Sequence, residues 1–142
     1  KKGDFVTFAS NTVTLLLAAN STYTSADVDS AGANAIYGMA LANAESTSRK
    51  IPVVLVNDHT EFLLPVVHGT PASAVTATSQ VGTAYDLAHY DTGTVTAWGV
   101  TIDDTTNTNV VVTELPAFNT VGEQYGRVWA KIASGSKDIA VA

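Results

Sequence analysis

The 142-residue chain has no cysteine. That absence excludes a disulfide framework, a thiolate metal site and a cysteine nucleophile. Charge is scarce too: 14% of residues are Asp, Glu, Lys or Arg, against about 25% in an average soluble domain. Cations are the scarcer sign. Lys and Arg occur only at positions 1, 2, 49, 50, 127, 131 and 137. Residues 51–126 therefore contain neither, while the same stretch holds eight carboxylates: Asp58, Glu61, Asp86, Asp91, Asp103, Asp104, Glu114 and Glu123. Recognition of a phosphate backbone or an anionic bilayer needs clustered cations, so neither nucleic acid nor a membrane is expected as a partner. No apolar run approaches the ~20 residues of a membrane-spanning helix.

Small and β-branched residues fill the place of the missing charge. The chain holds 21 Ala, 20 Thr and 18 Val, and its hydrophobic content is 46%. Val and Thr suit a pleated, half-buried surface, and this much apolar content is incompatible with disorder. The expectation is a single, mainly β domain over residues 1–142. It would be a small barrel or sandwich of short, mostly antiparallel strands with at most one or two short helices. Strand-like stretches punctuated by turn residues recur along the chain: 3–10, 12–19, 81–90, 95–102, 109–115, 126–134 and 138–142. Residues 20–34 read as a long loop or a short helix starting at Ser25. Residues 35–46, "AIYGMALANAES", fit both period 2 and period 3.6. We read them as a strand with a bend or bulge at Gly38, since Gly costs a helix about 1 kcal/mol relative to Ala.

The stretch "IPVVLVNDHTEFLLPVV", residues 51–67, is the most informative. It reads as a hairpin around the turn at 57–60, with Pro52 and Pro65 confined to a strand start, bulge or edge. Successive strand side chains point to opposite faces, and both arms are apolar on both. A helix layer, a second sheet or a neighbouring chain must cover the second face. With no clear amphipathic helix elsewhere, a neighbouring subunit is the expected cover, and Ile51, Val53, Leu55, Phe62, Leu63, Leu64 and Val66 are the expected interface residues.

The inventory of chemistry is nearly empty. "DTG" at 91–93 has the form that carries the aspartic-protease carboxylate, but Asp-Thr-Gly is also ordinary hairpin-turn chemistry. "DVDSAG" (27–32) and "DDTTNTN" (103–109) have the texture of calcium loops, yet neither places the bidentate Glu such a loop ends on. His59, His68 and His89 form no ligand-spaced pair. Of the aromatics Tyr23, Tyr37, Tyr85, Tyr90, Tyr125, Trp98 and Trp129, three tyrosines, Tyr23, Tyr90 and Tyr125, are the candidates for a sugar-binding platform. Core packing is the commoner use of such residues. No catalytic residue, cofactor or metal is expected, and the chain is read as a part that works through its surfaces.

The order of elements from "NAIYGMALANAESTSRKIPVVLVNDHTEFLLPVV" (34–67) through "VGTAYDLAHYDTGTVTAWGVTIDDTTNTNVVVTEL" (81–115) resembles the small capsid decoration, or cement, proteins of tailed bacteriophages. The resemblance covers over half the chain and is one of pattern. It implies a non-enzymatic protein on the outer capsid surface of a virion, a homotrimer that binds across subunits of the major capsid protein. It carries no catalytic residue with it. The alternative expectation is a carbohydrate- or receptor-binding β module of a fibre or spike.

Overall fold

A computed structural model describes residues 2–9, 12–15, 24–25, 36–43, 50–91, 96–103, 105 and 108–137. The protein is mainly β. Among the described residues there is no α-helix; three single turns of 3-10 helix occur at Pro71–Ser73, Thr78–Gln80 and Ser134–Ser136. The described strands are β1 (Phe5–Ala9), β2 (Thr12–Leu15), β3 (Thr24–Ser25), β4 (Gly38–Ala40), β5 (Val53–Leu55), β6 (Phe62–Val67), β7 (Ala84–Asp91), β8 (Thr96–Thr101), β9 (Val110–Glu114) and β10 (Arg127–Ile132).

These strands form two sheets. The smaller has the order β2-β1-β4-β5 and is antiparallel throughout. The larger runs β3-β7-β8-β6-β10-β9, and β9 returns to pair with β7. Five strands thereby close into a ring, with β3 added beside the far end of β7. Closure removes the open edges that a flat sheet of this length would leave. All pairings in the ring are antiparallel except β6 with β8, where Val66 faces Val100 and Val67 faces Thr101.

Residues 51–67 do not form the expected hairpin. β5 pairs with β4 in the small sheet, whereas β6 lies inside the ring between β8 and β10. The turn at 57–60 is a crossover from one layer to the other. Within β6, Phe62, Leu64 and Val66 point into the ring, and Val67 packs outside it against Ala88 and Tyr125. Pro65 is tolerated in mid-strand for a directional reason. Val66 donates its N–H to Gly126 on the β10 side, and the Val67 carbonyl accepts from Ile102 on the β8 side. By alternation the missing donor of Pro65 faces β8, where the ladder starts only at Val66.

Gly38 also differs from expectation. The β4–β5 register runs without interruption through Gly38, Met39 and Ala40, so no bulge sits there. A Cβ on Gly38 would collide with the Val54 carbonyl and the Val53 side chain. Glycine is needed for close approach to β5, not for a bend.

The small sheet lids the ring through one face. Phe5, Met39 and Val54 lie side by side across β1, β4 and β5 and pack on the ring interior. Phe5 is fully buried and meets Phe62 edge-on at 5.0 Å and Trp98 at 5.6 Å. Trp98 in turn stacks edge-on with His89, its cross-strand partner, at 5.1 Å.

An ion pair ties the crossover to the far end of β10. Lys137, whose side chain is almost wholly covered, donates to the exposed Asp58 carboxylate. That hydrogen bond, and then the Lys137 charge, holds Asp58 below the usual carboxylate range. A carboxylate depressed in the folded state contributes stability above its unfolded pKa and loses it as pH falls through the folded one. Asp58→Asn is therefore expected to unfold at lower urea concentration than the parent at pH 7. Chemical melts between pH 7 and pH 2.5 should show the two curves converging below about pH 4. Because Asp58 is exposed, added salt should shrink the gap.

Candidate functional site

The expected interface residues divide into two groups. Phe62, Leu64 and Val66 belong to the core of this chain, at 7%, 4% and 0% exposure, and are corrected to structural roles: their side chains fill the ring interior. Ile51, Val53 and Leu63 are half-buried, and Leu55 is exposed. Leu55 sits on the free edge of β5, where its carbonyl already accepts from the Thr60 hydroxyl at 3.0 Å. The turn thus shields this end of the edge from pairing.

The chemical candidates do not converge. His59 is exposed in the crossover turn. At the end of β6, His68 accepts the Thr70 N–H on Nδ1 at 2.9 Å, and the nearby Asp103 carboxylate accepts the Gly69 N–H at 2.9 Å. His89 is buried beside Trp98. Among the described residues no three His, Asp or Glu side chains gather as a metal site would require. Asp91 ends β7 opposite Thr96 at the start of β8, as a hairpin demands, and the remainder of "DTG" lies outside the described residues. The stretch 27–32, Asp104 and Tyr23 also lie outside them. Tyr125 packs against Val67 and Ala88. Tyr37, Tyr125 and Trp129 are half-buried, and Tyr85 and Trp98 are buried.

Two features escaped the sequence reading. The first is a buried polar cluster. Asp86, on the outer face of β7, is fully buried, and its Oδ1 accepts from the Leu87 N–H at 2.8 Å and from Asn109 Nδ2. Asn109 Oδ1 accepts from the Ser136 hydroxyl at 2.7 Å, and the Asn109 carbonyl accepts from Ala133 N–H. With Asp86 Oδ1 accepting and the Ser136 hydroxyl donating, the amide turns its NH₂ toward Asp86 and its oxygen toward Ser136. Asn109 thereby clamps the entry to β9 between β7 and the turn after β10. The arrangement is structural: every group named is buried within it.

The second is the loop between β9 and β10, residues 115–126. It makes two tight turns. Asn119 N–H donates to Pro116 O at 3.0 Å, and Glu123 N–H donates to Thr120 O at 3.0 Å. The loop is braced on the segment 70–80. Gly122 N–H donates to Thr76 O at 2.7 Å, Tyr125 N–H to Ala74 O at 2.7 Å, and the buried Thr76 hydroxyl to Thr120 O at 3.1 Å. Gln124 Nε2 reaches Pro71 O at 2.8 Å, while the buried Gln80 pins the segment from beneath through Val75 O at 2.8 Å. Gly122 and Tyr125 both take positive φ, +88° and +53°. For tyrosine that conformation is costly and persists only where surroundings hold it. On this fixed frame the side chains of Phe118 and Val121 stand out at 69% and 59% exposure. A Phe within "ELPAFNTVGEQYG", among turn residues rather than in a strand, was the available sequence signal.

No family model, curated protein or solved structure matches the chain.

Proposed function

We propose that this chain is a non-enzymatic structural protein of a tailed-bacteriophage head. It decorates the outer capsid surface as a homotrimer and binds across subunits of the major capsid protein. The observation that carries the reading is the braced loop, which presents Phe118 and Val121 to solvent. Rigid display of apolar side chains lowers the ordering cost of association, which is what a protein-binding surface requires. The pattern resemblance to decoration proteins directs the choice of partner. Many weak contacts repeated over a shell would add up through multivalency. Of the three tyrosines of the sugar-binding alternative, Tyr125 packs on Val67 and Ala88.

The test is binding to heads of the encoding phage prepared without this protein. The expected result is saturable co-sedimentation at micromolar concentration and a rise in the temperature at which the heads release DNA. A chain that stays in the supernatant at every concentration overturns the proposal.

A further inference from the structure

Where the ring meets the small sheet, three aromatic side chains line up with their polar atoms unused. Phe5 contacts Trp98 edge-on at 5.6 Å, and Trp98 contacts His89 edge-on at 5.1 Å. His89 is 7% exposed and Trp98 5%. His89 Nδ1 and Trp98 Nε1 are both buried, and neither has a hydrogen-bond partner. Native proteins satisfy the large majority of such atoms, so two orphans in one contact mark a special place. The His89 backbone is held from both sides, opposite Trp98 of β8 and opposite Thr24 of β3. The strands around it supply little charge. β1 to β6 and β8 contain no ionisable side chain. On β7 itself, Tyr85 is buried on the same face as His89, Asp86 bonds Asn109 on the opposite face, Tyr90 is the next residue and Asp91 ends the strand. Of the charged residues on β9 and β10, Glu114 and Arg127 are exposed, and Lys131 pairs with Glu61 at 3.7 Å.

We infer that His89 is an acid-sensitive latch between the two layers. Neutral, it lets Trp98 seat Phe5 and with it the small sheet; protonated, it unseats that sheet while the ring stays closed. A neutral imidazole carries one N–H, whereas the imidazolium carries two. Protonation therefore makes Nδ1–H a buried donor without an acceptor, and it sets a charge into an aromatic contact. Burying an unpaired charge is costly. The contact that yields is the one without backbone hydrogen bonds. β7 and β8 share a six-residue register from Asp86 to Asp91. β1 belongs to the other sheet and meets Trp98 through the Phe5 ring. Displacing Trp98 from a charged His89 thus displaces Phe5 first. The stability held by neutral His89 is present above the histidine range and lost as pH falls through it. The latch is a property of the fold and does not depend on the partner proposed above.

Amide hydrogen exchange of the full chain at pH 7.5 and pH 5.5, followed by mass spectrometry and corrected for the intrinsic rate, tests the latch. In the small sheet Tyr37 N–H donates to Val6 O at 2.8 Å and Ala40 N–H to Asp4 O at 2.9 Å. One proton changes an opening equilibrium by up to about tenfold per pH unit, so peptides covering β1 and β4 should lose about tenfold in protection at pH 5.5. Peptides covering β8 and β10 should keep theirs. His89→Gln, which stays neutral, should abolish the difference, and His59→Gln/His68→Gln should retain it. A parent whose β1 and β4 peptides are equally protected at the two pH values overturns the latch. So does a parent in which all strands lose protection together. A difference that persists in His89→Gln, or vanishes in His59→Gln/His68→Gln, belongs to another group and overturns it as well. If His89→Gln does not fold, the parent and the double variant still decide.

Discussion

Phe5→Ala is expected to destabilise the protein by about 3–5 kcal/mol, the range for deleting a large aromatic from a packed core. The magnitude follows from where the ring sits. Phe5 is fully buried and is the aromatic by which the small sheet reaches the five-stranded ring, with edge-on contacts to Phe62 and Trp98. Such contacts add roughly 0.5–1.5 kcal/mol per pair beyond the area they bury. Removing the ring leaves a cavity between two layers that backbone pairing holds apart, so collapse can fill little of it. Urea unfolding followed by Trp fluorescence measures the effect, and Trp98 should report it directly. A loss below about 1 kcal/mol would mean that the layers are held together elsewhere.

Asn109→Ala is expected to cost about 2–4 kcal/mol, whereas Ser136→Ala should cost only about 1 kcal/mol. The asymmetry is the point of the comparison. Losing the Ser136 hydroxyl leaves a neutral amide oxygen short of one donor. Losing the Asn109 amide takes a donor from a fully buried carboxylate and leaves the Ser136 hydroxyl facing nothing. A buried polar atom left short of its donor costs the full desolvation of that group. Midpoints and m-values from urea melts of the three proteins provide the check. Equal losses for the two substitutions would show that Asp86 draws its stabilisation from other neighbours.

Fold class and most strand positions were legible in the residues because period-2 patterning and turn chemistry are local. β8, β9 and β10 fall within the stretches that alternation and turn residues mark out, and β7 overruns its stretch by one residue, Asp91. Pairing was not legible. An apolar run, a four-residue turn and a second apolar run look the same whether the two arms meet each other or enter different sheets. Residues 51–67 take the second course because β6 finds partners in β8 and β10, far along the chain. The interface residues assigned on the assumption of a hairpin inherited that error, and Phe62, Leu64 and Val66 became core. Asp86 was invisible for a related reason: its burial depends on Asn109 and on strands that only the tertiary structure assembles. The display of Phe118 and Val121 lay within reach, since both are large apolar residues in a segment otherwise built of turn formers.

The position of β6 has a consequence for biosynthesis. It is made before β10, one of its flanking strands, and about sixty residues separate Val67 from Arg127. At roughly 5–20 residues per second, a nascent chain exposes Phe62, Leu64 and Val66 for several seconds before the last stave of the barrel leaves the ribosome. Ring closure is a non-local event with a large entropic barrier, so the wait extends past synthesis itself. During that interval the segment "FLLPVV" is a sticky, unmated ribbon, and Pro65 in its middle acts as a gatekeeper against amyloid-like stacking.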